Sequence, residues 1–150
     1  MNTANETWLS QVRDILSLRG VAGPSSLRGC TESQIAEIAN SKSLPLRYRE
    51  FLSAMGQGAG RFFVGTDIFY PSIIGLTNDA RELVSEDSAG IELPVDAVAF
   101  AMHQGYEVLF FRTTDGDDPP VYHYSEGSGQ FERKYDSFTQ YLISAANDQW

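Results

Sequence analysis

Apolar positions recur along this chain with two different periods, and the change from one to the other near residue 97 organises the rest of the reading. In "ETWLSQVRDILSL", Trp8, Leu9, Val12, Ile15 and Leu16 fall at helical spacing with Gly20 beyond them as a stop, which predicts an amphipathic helix over 5–18. In "TESQIAEIAN", Thr31 is placed to cap and Gln34 to return the hydrogen bond, with Ile35 and Ile38 on one face of a short second helix. In "LPLRYREFLSAMG", Pro45 suits a first helical position, and Tyr48, Phe51, Leu52 and Met55 form an i, i+3, i+4, i+7 stripe closed by Gly56. The glycine-rich "GQGAGRFFVG" follows that helix and leads toward an apolar strand. Beyond "DIFYPSIIG", the run "TNDARELVSED" predicts a fourth helix with Leu83 and Val84 inward and its acids outward; its upstream edge is not defined by the pattern.

From residue 97 the spacing is that of strands: "AVAFAM" and "EVLFFR" flank "HQGY", whose Gln104-Gly105 pair suits a tight hairpin. "VYHY" and "FERKY" continue an antiparallel meander across turns at "TTDGDDPP" and "SEGSGQ". The chain closes with "DSFTQYLISAAND", where Asp136 is placed to cap a helix whose apolar face is Phe138, Tyr141, Leu142 and Ala145. Most of the aromatics, Phe62, Phe63, Phe69, Tyr70, Phe110 and Phe111 among them, are expected in the core, with Tyr106, Tyr122 and Tyr124 left to line an exposed face. The expected class is α+β, with N-terminal helices and a C-terminal helix packed on a twisted antiparallel sheet of about four strands or more. With 150 residues and no repeat or long linker, one domain over 1–150 is expected, the helix at 5–18 packing on it as an extension.

Charge changes this picture once it is divided. Met1 to Arg61 carries +2 and Phe62 to Trp150 carries −11 of the net −9. Between Asp79 and Asp118 lie Asp79, Glu82, Glu86, Asp87, Glu92, Asp96, Glu107, Asp115, Asp117 and Asp118, against only Arg81 and Arg112. Such a surface repels phosphate backbones, and no lysine–arginine cluster appears that would bind nucleic acid directly. It attracts a basic protein, or else serves solubility alone. We take Asp115, Asp117 and Asp118, on a turn stiffened by Pro119-Pro120, together with Glu82, Glu86 and Asp87, as the expected partner-binding residues. A single cysteine, Cys30, fits a reducing compartment, and neither a leader-like segment nor a membrane-length apolar run is present, so a cytoplasmic location with no membrane contact is expected.

Candidate chemistry is sparse. The glycine-rich run follows a helix end, whereas a phosphate cradle precedes a helix start. A zinc site built on His103 and His123 would need a further ligand such as Cys30 or an aspartate, at a spacing that matches no metal motif. The Asp115, Asp117, Asp118 series is cut short by the prolines before it could make a calcium loop. Cys30 lies just before a helix start, where the dipole would favour thiolate, but carries no nucleophile motif around it. Without such roles His103 reads as a turn residue and His123 as a cross-strand surface residue. No catalytic residue, cofactor or metal is therefore expected, and a cysteine- or metal-dependent hydrolase is the weakest reading.

Five stretches, "LPLRYREFL", "GQGAGRFFVGTDIF", "HQGYEVLFF", "DDPPVYHYSEG" and "YDSFTQYL", in this order and spacing over about residues 31–147, resemble the SUKH superfamily, in particular the family named after a yeast cell-wall-assembly regulator. The resemblance implies helices packed on an antiparallel sheet, with "HQGYEVLFF" and "PPVYHY" as sheet strands and their turns. For function it implies a binding protein: bacterial members are thought to be immunity proteins that neutralise toxin domains, often nucleases. On that basis a basic toxin domain is the expected partner, and an endogenous protein bound by a regulatory scaffold is the alternative. The family supplies no catalytic residues, and the oligomeric state is left undefined.

Overall fold

The computed structural model describes residues 3–87 and 90–148. Helix α1 (Thr3–Leu18) leads through a 3-10 turn (Pro24–Ser26) to strand β1 (Leu27–Arg28), then to α2 (Glu32–Ala39) and α3 (Leu46–Met55). Strand β2 (Gly58–Ala59), strand β3 (Thr66–Asp67) and α4 (Leu76–Asp87) follow. The meander is β4 (Ala97–His103), β5 (Glu107–Arg112), β6 (Val121–Ser125) and β7 (Glu132–Tyr135), and α5 (Phe138–Asn147) closes the described chain. Strands β3-β4-β5-β6-β7 form one antiparallel sheet in sequence order, and β1 and β2 pair separately. The expected α+β architecture is thus present, with five helices and seven strands among the described residues.

Local chemistry accounts for most of the element ends. Both halves of the Thr31–Gln34 capping box form and start α2. The stripe on α3 is buried along its whole length, from Tyr48 to Met55. Gln104 and Gly105 both take positive φ, 53° and 79°, at the centre of the tight turn in the three-residue loop 104–106 between β4 and β5. Helix α4 begins at Leu76 and turns Leu76, Ala80 and Val84 to the core, with Leu83 half-buried. Two local expectations are corrected. The residue capping α5 is Ser137, whose side chain accepts from the Gln140 backbone N–H, and Asp136 stands one position too early. After the glycine-rich run the chain turns instead of forming an apolar strand, and Phe63 holds a left-handed backbone with φ of 60°.

The sheet is covered unequally on its two faces. Cross-strand pairing puts Val98, Ala101 and His103 of β4 on the side of Glu107, Leu109 and Phe111 of β5. That face meets α1, α3 and α5, and Phe138 at the start of α5 is the hub: its ring contacts those of Trp8, Tyr48, Phe51, Phe100, Phe111 and Tyr141. Helix α4 packs on β4 and reaches the opposite face, where the Tyr124 hydroxyl donates to Asp87. Tyr124 is fully buried, so its place is the core and not an exposed aromatic face; Tyr122 is half-buried and Tyr106 exposed. Arg19 fastens α1 to the far end of α5 by donating to the carbonyls of Ala146 and Asp148, at 2.6 and 2.9 Å. Gly29 has no room for a side chain, since a Cβ there would lie 1.9 Å from the Ser53 carbonyl oxygen.

Candidate protein-interaction surface

The acidic residues divide into those the fold uses and those it leaves to solvent. Buried residues of α4 recur at 76, 80 and 84, so Asp79, Glu82 and Glu86 emerge on the opposite side as an exposed i, i+3, i+7 stripe. Asp87 differs: its carboxylate accepts from the Tyr124 hydroxyl and from the Gly127 backbone N–H, and so ties the end of α4 to the turn after β6. Asp115 and Asp117 are exposed on the β5–β6 loop, and that loop is held by a hydrogen bond from the Arg47 N–H to the Asp117 carbonyl. Asp118 is turned inward. Its two oxygens accept from the Thr139 N–H at 3.0 Å and the Thr139 hydroxyl at 2.7 Å, which satisfies a donor in the first turn of α5.

The six nominated residues therefore do not make one cluster. In antiparallel order, the β5–β6 loop lies at the sheet end where β6 begins, while Asp87 reaches the end where β6 finishes. Glu82 and Glu86 form one exposed group and Asp115 and Asp117 another, with Asp87 and Asp118 employed between elements. The cations nearby are engaged as well: Arg112 pairs with Asp96 at 2.9 Å, Arg133 with Asp136 at 3.4 Å, and Arg81 donates to the Leu93 carbonyl. Burial would raise the Asp96 carboxyl, but hydrogen bonds from Thr114 and Arg112 outweigh it and hold the group below its ordinary value.

On the other sheet face, β4 to β7 and the last turns of α5 enclose a half-open cleft of about 350 Å³. Both histidines line it, with Ala101, Glu107, Leu109, Lys134, Tyr135, Tyr141, Ser144 and Asp148. His103 Nδ1 is 3.0 Å from the Thr66 hydroxyl, and His123 lies between two carboxylates, 3.6 Å from Glu107 and 4.0 Å from Glu132. The rings of Phe63, Tyr141 and Tyr135 form a continuous wall, with centroids 6.1 and 5.2 Å apart. Burial pushes the Tyr141 phenol well above its ordinary value, so it stays neutral, and its hydroxyl has no hydrogen-bond partner among the described residues. Phe63 stands here with its left-handed backbone, a conformation that costs on the order of 1–3 kcal/mol in a bulky residue. Sequence reasoning missed this cleft because its residues come from separate segments; the one signal available was the pair of histidines in neighbouring strands.

Among the described residues no group of three or more His, Cys, Asp or Glu is placed to hold a metal ion. Cys30 lies beside α3, where its N–H donates to the Leu52 carbonyl, and burial pushes its thiol up, away from thiolate. Both histidines, by contrast, line the cleft. No helix among the described residues is long and apolar enough to cross a membrane.

Helices packed on an antiparallel meander make an α+β fold. A model of the SUKH_6 family, described as SMI1-KNR4 cell-wall, matches residues 31–142, and the chain belongs to this family. No curated protein matches the chain.

Proposed function

We propose that the protein is a non-catalytic binding domain that neutralises a basic toxin domain by covering it, as immunity proteins do. The observation that carries this reading is the exposed acidity outside the folding contacts: Asp79, Glu82 and Glu86 on α4 and Asp115 and Asp117 on the β5–β6 loop, with Arg81 and Arg112 already engaged. Two separated acidic groups suit a broad basic surface, and their summed field steers encounter. Membership of the SUKH family supports a protein partner. The family's cell-wall description also favours a second reading, in which the same surface serves an endogenous regulatory partner.

The test is to look beside the gene for a large secreted protein with a variable C-terminal domain and to co-express that domain with this chain. Growth should be rescued, and rescue should fail for the combined Glu82→Gln, Glu86→Gln, Asp115→Asn, Asp117→Asn variant. Absence of rescue by the wild-type chain, with both proteins expressed and folded, would remove the immunity reading.

A further inference from the structure

The cleft beside α5 has a chemistry of its own. One wall is aromatic, with half-buried Tyr135 at its surface and buried Tyr141 and Phe63 packed in series behind it, the floor carries Ala101 and Leu109, and Glu107 and Asp148 supply carboxylates. A partly exposed aromatic ring combined with carboxylates and an apolar floor is what a guanidinium on an aliphatic stem requires: stacking for the planar cation, a paired oxygen for its N–H groups, and contact for its methylenes. Glu107 is only half-buried and its nearest basic neighbour is an imidazole at 3.6 Å, which pairs with it as an ion only when protonated. Lys134 is exposed, with no ion pair of its own among the described residues, and its charge opposes a cation in the cleft.

We propose that this cleft receives an arginine side chain of the basic partner. The proposal rests on the protein-binding reading above and gives it a specific anchor, because a desolvated arginine in a pocket is the kind of contact that dominates interface energies while rim acids govern the rate.

The experiment titrates isotope-labelled protein with a blocked Gly-Arg-Gly peptide, following backbone amide shifts. The citrulline peptide, of the same shape without charge, and the glutamate peptide serve as comparisons. The arginine peptide should give saturable shifts centred on Ala101, His103, Leu109 and Ser144, and the other two should not. Glu107→Gln should weaken binding by about five-fold, the factor that a partly exposed ion pair represents, and Lys134→Gln should strengthen it. A spectrum as dispersed as that of the wild type shows that each variant is folded. Equal binding of the citrulline peptide, no response to Glu107→Gln, or tighter binding of the glutamate peptide would overturn the proposal. If the cleft stays unshifted while a basic partner still binds with salt-screened kinetics, the anchor alone is wrong. If that binding is also indifferent to salt, the reading beneath it fails too.

Discussion

Phe138→Ala removes the hub of the aromatic core, and its cost follows from what the ring touches. The side chain is fully buried, and six rings surround it with centroids between 5.3 and 6.4 Å. Truncation leaves a cavity that these neighbours cannot close, because they belong to α1, α3, α5 and two strands that would all have to shift. Phe-to-Ala core changes cost about 3–5 kcal/mol, and edge-to-face partners place this site in the upper part of that range, so we expect about 4 kcal/mol. For a chain of this size that corresponds to a fall of roughly 8–16 °C in melting temperature. The assay is urea unfolding followed by fluorescence and circular dichroism, with Phe138→Leu expected to lose about 1–1.5 kcal/mol. Leu18→Ala is the control: Leu18 is 89% exposed, and the change should stay within about 0.5 kcal/mol. A loss below about 1 kcal/mol for Phe138→Ala, with an unchanged unfolding slope, would refute the reasoning and make α5 peripheral.

Two further predictions concern carboxylates that the fold employs. Asp118→Asn keeps one acceptor but loses the charge that faces the first turn of α5, and should destabilise by about 1 kcal/mol in the same urea assay, whereas Asp117→Asn should not. Asp96, held low by Thr114 and Arg112, contributes stability that is present above the ordinary carboxyl range and disappears as pH falls through the lowered folded value. The stability gap between wild type and Asp96→Asn, under about 1 kcal/mol for so accessible a pair, should therefore be open at neutral pH and close in acid; a gap constant with pH would contradict the assignment.

How much of this was legible in the sequence depended on the range of the interactions. The capping box at Thr31, the stripe on α3 and the Gln104-Gly105 hairpin are written within a few residues, and each appears where its pattern put it. Strands of two residues, such as β1, β2 and β3, have no period to read and exist because a partner strand supplies their hydrogen bonds. Asp87 and Asp118 look like solvent-facing acids in sequence. Their partners, at Gly127 and Thr139, lie 40 and 21 positions away, so their structural employment cannot be read locally. Strand alternation points Tyr124 to an exposed face, but the end of α4, whose Asp87 accepts from its hydroxyl, covers it. The two histidines, 20 positions apart, meet at one cleft only because β4, β5 and β6 pair in register.

The central claim, that acidic surface left over from folding recognises a basic partner, is tested most directly by the association rate with an inactivated form of a toxin domain that this chain neutralises in co-expression, measured by stopped flow across ionic strength. The account predicts a rate that falls by about ten-fold or more from low to high salt, and a flattened dependence for the Glu82→Gln, Glu86→Gln, Asp115→Asn, Asp117→Asn variant. A rate indifferent to salt, or a variant that follows the wild-type curve, would contradict it.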